Sequence, residues 1–329
     1  MRRRSLLTAF AALAVWPAER ANAQRPPRII AFLVGLPLDH PVVVERYDRL
    51  RRLLAGRGWV EGQTIGFRLF TVTSEPGALA ARVAEIVAGR PDIICAGSST
   101  ETAALLAATK RIPVLFTTAS DPVGSGFVRS LERPDGNATG FSNNDPAMAP
   151  KWIELLREIA PATTRLGVLY NPATAPAGGA GYLAALRTGA RLVDLAVVDT
   201  PLSAVSEIEP AIATLAREEG IGLFAMPDSF LFRNAARVAG AAARHRLPAI
   251  YPYEVFVEAG GLLSYSGGRD ETEELIAGYI DLILRGANIA ELPVQFSRSF
   301  ELVINEAAAA ALGLAVPTSL RVRATRMIA

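Results

Sequence analysis

Short apolar runs alternate with amphipathic helical stretches along almost the whole chain. Because helices join parallel strands and cover the sheet, this alternation is typical of α/β proteins. The sequence therefore predicts an α/β fold of two doubly wound, Rossmann-like lobes joined by a hinge. The strands are predicted at residues 28–35, 64–72, 92–97 and 113–118 in a first series, and at residues 165–170, 195–198, 222–226, 249–253 and 261–266 in a second.

Two such lobes place two sets of strand-to-helix loops opposite each other, with a cleft between them. The chain has 329 residues, half of them apolar, which is enough to build two hydrophobic cores. A cleft between lobes is the usual place for a small ligand, so we expect the binding site there. Helices are predicted at residues 42–55, 78–88, 100–109, 149–159 and 272–284.

Small polar residues and carboxylates follow several of the predicted strands. Hydroxyl groups and free backbone N–H groups at a helix start, as at residues 98–100, can bind a carboxylate. Asp121 and Asp228 can accept hydrogen bonds from an ammonium. Together these groups suit an amino acid. The candidate ligand-binding residues are His40, Ser98, Ser99, Thr100, Thr118, Ser120, Asp121, Asn143, Asn171, Asp228, Phe230 and Tyr253.

The same residues have purely structural alternatives. Residues 98–100 can form a simple helix cap, and Asp121 precedes Pro122, which suits the first position of a helix. If Asp121 and Asp228 are caps, they stabilise the fold and do not contact the ligand. The sequence leaves both roles open.

Motifs for nucleotide binding and for common catalytic sites are absent from the sequence. The loop at residues 35–41 has neither a glycine-rich dinucleotide turn nor a phosphate loop, and its two prolines lack backbone donors. No Gly-x-Ser-x-Gly elbow and no His-Glu-x-x-His helix occurs. The two histidines are His40 and His245, and the single cysteine excludes a two-cysteine racemase. We expect no catalysis, no cofactor and no metal.

The first 23 residues have the three-part layout of a signal peptide. Three arginines precede an apolar run at residues 6–16, which is too short to span a membrane, and a small-residue site ends at Ala23. We expect cleavage after Ala23 and a periplasmic protein without a lipid anchor, since no cysteine follows the small residues. The pair Arg3-Arg4 resembles a twin-arginine signal, and an ordinary Sec signal is the alternative.

The charge of the expected mature chain argues against nucleic acid as a partner. Removal of residues 1–23 removes four arginines and one glutamate, which leaves 30 basic and 31 acidic residues. Nucleic-acid binders generally carry a concentrated basic surface instead. Cys95 lies in an apolar run and is expected in the core.

Several longer stretches resemble one ABC-transporter substrate-binding family, which includes tryptophan and phenylalanine binders. The most specific runs through residues 121–131, DPVGSGFVRSL, and 134–140, PDGNATG. Taken together the matches span nearly the whole mature chain, although each alone is weak. Further matches lie at residues 59–62, 244–251, 256–261, 300–305 and 311–314.

The resemblance implies a type I periplasmic binding fold, with three crossings between lobes and a ligand in the cleft. It also implies an ABC permease and an ATPase as partners, and we expect a monomer. We place residues 24–141 and about 265–299 in the first lobe, and residues 142–264 and about 300–329 in the second. Hinges are expected near residues 139–142 and 263–266.

The sequence leaves the ligand and two other functions open. The loop at residues 37–41 and the insertion-like residues 177–181 depart from the family, so an aromatic amino acid, another amino acid or a small carboxylate all fit. A periplasmic enzyme on the same architecture is one alternative function. A ligand-sensing partner of a membrane receptor is the other. Neighbouring permease and ATPase genes, as opposed to kinase genes, would separate transport from sensing.

Overall fold

A computed structural model describes residues 26–72, 77–142 and 144–329. Within these ranges its first sheet has six strands, namely β1 (Arg28–Val34), β2 (Ile65–Thr71), β3 (Ile93–Ala96), β4 (Val114–Phe116), β5 (Ala138–Ser142) and, later in the chain, β11 (Gln295–Phe296). They lie in the order β11-β5-β4-β3-β1-β2, and all neighbours run parallel.

Helices cover both faces of this first sheet. They are α1 (Pro41–Ala55), α2 (Ala78–Ala88), α3 (Ser99–Ala108) and α10 (Arg269–Leu284). On one face, α1 and α10 enclose a core that includes Phe32, Tyr47 and Ile280. On the other face, α2 and α3 pack with Leu105 and Phe116. Because both faces are buried, the central strands are almost continuously apolar, as in other parallel sheets.

The second sheet has seven strands within the described residues, namely β6 (Arg165–Tyr170), β7 (Ala196–Pro201), β8 (Ile221–Ala225), β9 (Ala249–Tyr251), β10 (Leu263–Gly267), β12 (Phe300–Asn305) and β13 (Arg326–Ile328). They lie in the order β13-β12-β10-β9-β8-β6-β7. Neighbours are parallel except β10 and β12, which pair antiparallel.

Helices also cover the second sheet, and Trp152 lies at the centre of one face. The Trp152 ring is fully buried against Phe224, and its Nε1 donates to the carbonyl of Tyr265 at 2.8 Å. The helices are α4 (Ala149–Ile159), α5 (Ala180–Arg191), α6 (Ile208–Leu215), α7 (Ser229–Arg233), α8 (Ala235–Arg244), α9 (Glu254–Glu258), α11 (Glu306–Ala311) and α12 (Thr318–Arg323).

The chain passes between the two sheets three times, after β5, after β10 and after β11. The predicted fold class of two doubly wound lobes is confirmed. Strand β10 lies wholly in the second sheet, and α10 then packs on α1 of the first lobe. The lobe boundaries given from the sequence stay a prediction. No helix in the described part of the chain is long and apolar enough to cross a membrane.

Candidate ligand-binding cleft

The carboxyl ends of the parallel strands in the two lobes face each other, and polar side chains meet there. Thr100 lies in the first turn of α3 in the first lobe, and Ser229 is the first residue of α7 in the second. The Thr100 hydroxyl donates to the Ser229 hydroxyl at 3.2 Å, so the two lobes are in contact. A molecule held between these loops would be reached from both lobes.

Ser120 and Tyr253 form a second connection between the lobes. Ser120 follows β4 and is 2% exposed. Burial raises the pKa of the Tyr253 hydroxyl, while hydrogen bonds with the side chains of Ser120 and Asn144 act to lower it. Tyr182 on α5 belongs to the same group, since its hydroxyl donates to the Asn144 carbonyl at 2.8 Å. Ser120, Tyr253 and Tyr182 thus lie beside the first crossing of the chain.

The hydroxyls around the start of α3 are mostly engaged with the backbone. Ser98 caps α3, with its Oγ accepting from the Glu101 N–H at 3.3 Å. Ser99 Oγ accepts from the Ser120 N–H at 2.9 Å, and the Thr118 hydroxyl donates to the Gly97 carbonyl. The structure therefore brings together four of the predicted residues along one edge of the cleft, namely Ser98, Ser99, Thr118 and Ser120.

Asp121 lies directly against the second lobe. Its Oδ1 accepts from the Gly124 N–H at 3.0 Å, and its backbone is left-handed, with φ at 46°. A Cβ added to Gly181, at the start of α5, would come within 2.6 Å of Asp121 Oδ2. Burial raises the pKa of Asp121, and the nearby Asp145 raises it further. Asp121 therefore stabilises its own turn, through the Gly124 N–H, and also faces the second lobe.

Asp228 is 3% exposed, and three donors satisfy its carboxylate. Oδ2 accepts from the Asn171 N–H at 2.5 Å, whereas Oδ1 accepts from the Thr174 hydroxyl at 2.5 Å and the Phe230 N–H at 2.6 Å. Burial raises the pKa of Asp228, and these donors act against that rise. In this arrangement Asp228 caps α7 and ties it to the loop after β6.

The remaining candidates lie in different environments. His40 caps α1, with its Nδ1 accepting from the Val42 N–H at 3.3 Å. Asn171 is buried, and its Oδ1 accepts from the Ala173 N–H at 2.8 Å in a local turn. The Phe230 ring packs in the core of the second lobe. Asn143 lies outside the described residues. The ligand-binding roles of all these residues stay predictions.

Two charged residues outside the predicted set of binding residues, Glu101 and Arg233, lie near Thr100 and Ser229. Glu101 is 3% exposed, and its Oε2 has no hydrogen-bond partner among the described residues. Arg233 is exposed at the end of α7. The spacing Ser98-x-x-Glu101 matches a capping box and could have drawn attention to Glu101. Glu101 is buried beside the ends of β1 and β3, and this burial depends on tertiary packing.

Solved structures with the same fold support this description of the lobes. The chain matches a conserved domain protein from Vibrio cholerae with a TM-score of 0.82 and 26% identity, covering 92% of this chain and all of that one. It matches an ABC domain in complex with L-Trp from Streptococcus pneumoniae with a TM-score of 0.83 and 23% identity, with the same coverage.

A third solved structure differs more in shape at nearly the same identity. It is a ligand-free, open substrate-binding protein with adhesive properties from Clostridium difficile, with a TM-score of 0.65 and 24% identity over 89% of this chain and 97% of that one.

Sequence comparisons cover almost the same part of the chain. A tyrosine-binding protein of Clostridioides difficile is 26% identical over 278 residues, which is 82% of this chain and 76% of that protein. A family model described as ABC transporter substrate binding protein matches residues 31–328. The chain belongs to the ABC transporter substrate-binding protein family.

Proposed function

We propose that the protein captures one small zwitterionic solute of the amino-acid type by closing its two lobes around it. The observation that carries this proposal is the meeting of polar groups from both lobes at Thr100 and Ser229, and at Ser120 and Tyr253. The tyrosine-binding relative supports an amino acid as the ligand class. Asp121, which faces the second lobe at Gly181, is proposed to line this site.

We also propose that the protein works outside the cytoplasm as a monomer, with an ABC permease and an ATPase. Family membership supports transport as the role. The closing motion is proposed to use the crossings near residues 139–142 and 263–266, because hinge residues at element ends can absorb large backbone changes.

No chemical step is proposed at the cleft. The imidazole of His40 is used in capping α1, and that of His245 contacts Glu209 at 2.9 Å on the outer helices. A serine nucleophile needs a base within hydrogen-bond reach, and both imidazoles have other contacts. The relatives named above that have an assigned role are binding proteins.

Binding of amino acids is expected to raise the melting temperature of the mature protein. A ligand that binds only the folded state at 100 times its Kd adds about 2.7 kcal/mol to the free energy of unfolding. Differential scanning fluorimetry against the twenty amino acids and a set of organic acids measures this, with L-tyrosine, L-phenylalanine and L-tryptophan expected to give the largest shifts. A protein that no amino acid stabilises, but that turns over an added substrate, would contradict the proposal.

Export is expected to yield a periplasmic protein that begins at Gln24. Cell fractionation followed by mass spectrometry of the N-terminus measures both properties. Replacing Arg3 and Arg4 by lysine is expected to block export by the twin-arginine route and to be tolerated by the Sec route. Uncleaved protein in the cytoplasm of the native cell would argue against export.

A further inference from the structure

Glu101 holds a buried carboxylate oxygen with an unused capacity to accept a hydrogen bond. The residue is 3% exposed, and Oε2 has no partner among the described residues. An ionised carboxylate removed from water is costly unless donors or an opposite charge compensate it. Burial raises the pKa of Glu101 to about 7, while the Ser98 hydroxyl, the Gly97 N–H and the charge of Arg233 act against this rise.

The surroundings of Glu101 place it at the edge of the cleft and not in the middle of the core. Gly35 follows β1 and Gly97 follows β3, so both lie at the carboxyl ends of their strands. A Cβ on Gly97 would lie 3.0 Å from Glu101 Oε2, and one on Gly35 would lie 3.2 Å from Oε1. The two glycines thus leave room for the carboxylate at the ligand-facing edge of the first lobe. Tyr47 of α1 also lies close enough for the two side chains to interact electrostatically.

Arg233 of the second lobe faces this carboxylate. Ser229 and Arg233 are four residues apart on α7 and so share one face of the helix. Ser229 contacts Thr100, the residue before Glu101, which directs the face that bears Arg233 toward the start of α3. The positive charge of Arg233 acts to lower the pKa of Glu101. The two side chains nevertheless make no ion pair within 4.0 Å in the described part of the chain.

The two aspartates of the cleft are less suited than Glu101 to hold an ammonium. Both oxygens of Asp228 already accept from Asn171, Thr174 and Phe230. Asp121 is half-buried and accepts from the Gly124 N–H. Glu101 combines deep burial with an oxygen, Oε2, that has no hydrogen-bond partner in the described part of the chain.

We propose that Glu101 and Arg233 together recognise an α-amino acid, with Glu101 accepting from its ammonium and Arg233 donating to its carboxylate. This inference rests on the proposed function and specifies its ligand as a zwitterion. Opposite charges contributed by opposite lobes would join the lobes through the ligand, because each lobe binds one end of it. The guanidinium of Arg233 suits binding of the ligand carboxylate, because its paired N–H groups match the two carboxylate oxygens.

The test uses L-tyrosine and two analogues that each lack one charged group. Tyramine lacks the carboxylate, and 3-(4-hydroxyphenyl)propionate lacks the ammonium. Isothermal titration calorimetry gives their Kd values for the wild type, Glu101→Gln and Arg233→Gln. The matched controls are Glu85→Gln on α2 and Arg237→Gln on α8, both at exposed positions. Asp121→Asn and Asp228→Asn are titrated in parallel.

Each variant is expected to lose recognition of one end of the ligand. Glu101→Gln should weaken L-tyrosine binding by about 30-fold or more, the loss measured when one member of a buried charge pair is removed. It should not weaken binding of 3-(4-hydroxyphenyl)propionate. Arg233→Gln should weaken L-tyrosine binding by about tenfold or more and leave tyramine within about threefold. The two control variants should bind as the wild type does.

Several outcomes would overturn the inference. The inference is wrong if Glu101→Gln binds L-tyrosine with a Kd within about threefold of the wild type. It is also wrong if only Asp121→Asn or Asp228→Asn weakens L-tyrosine binding. Arg233 is exposed, so its variant tests the carboxylate role even if Glu101→Gln does not fold. If the wild type binds L-tyrosine and Glu101→Gln and Arg233→Gln bind it with the same Kd as the control variants, the roles of Glu101 and Arg233 are refuted and the proposed function is not. A wild type that binds no amino acid refutes the proposed function, and this inference with it.

Discussion

Asp228→Ala is expected to lower the free energy of unfolding by about 3 to 5 kcal/mol, because each buried donor left without an acceptor costs about 1 to 3 kcal/mol. The variant removes the acceptor of three donors, namely the Asn171 N–H, the Thr174 hydroxyl and the Phe230 N–H. The Asn171 and Thr174 donors belong to the loop after β6, and the Phe230 N–H belongs to the start of α7, so Asp228 joins these two segments. We therefore expect Asp228 to act mainly on the stability of the second lobe.

Urea unfolding followed by circular dichroism measures this loss, with Asp145→Ala as the matched control. Asp145 caps a short turn and, within the described residues, accepts one side-chain hydrogen bond, from the Ala147 N–H at 2.7 Å. Loss of an exposed cap costs about 0.5 to 2 kcal/mol. If Asp228→Ala unfolds like its control but binds L-tyrosine at least tenfold more weakly, Asp228 holds the ligand, and the capping role is secondary.

Gly140→Ala is expected to lower the free energy of unfolding by about 3 kcal/mol or more, because the added methyl group meets backbone atoms. Gly140 lies in β5 opposite Phe116 of β4, and its φ is 155°. An added Cβ would lie 1.9 Å from the Phe116 carbonyl oxygen. Because backbone atoms cannot move aside as a flexible side chain can, the pairing of β4 with β5 must break or shift.

Gly136→Ala is the matched control, since a Cβ there would meet nothing within 4 Å and the residue lies only four positions earlier. It is expected to change the free energy of unfolding by less than about 0.5 kcal/mol. Both variants are compared by urea unfolding and by Kd for L-tyrosine, because β5 leads into the first crossing between the lobes. Equal stability of the two variants would show that β4 and β5 can separate at little cost.

Much of the fold follows from local pattern. An apolar run such as residues 92–97 is too short for a helix and is followed by a helix start, so it predicts a buried strand, and β3 occupies Ile93–Ala96. The antiparallel pairing of β10 with β12 has no such local signal. It depends on where the chain returns after its third crossing.

That polar residues follow the strands can be predicted from the sequence alone, since strand ends can be located from hydrophobicity and helix starts from capping residues. The sequence placed Ser98, Thr100, Ser120, Asp121 and Asp228 near such ends, and the structure brings Thr100 into contact with the second lobe. The tertiary structure alone decided which carboxylate oxygens are already satisfied. The donors Asn171 and Thr174 lie 57 and 54 positions before Asp228 in the chain, and Glu101 is buried where the ends of β1 and β3 meet α3. A hydrogen bond between distant residues depends on how the lobes pack, and no spacing within one segment encodes that geometry.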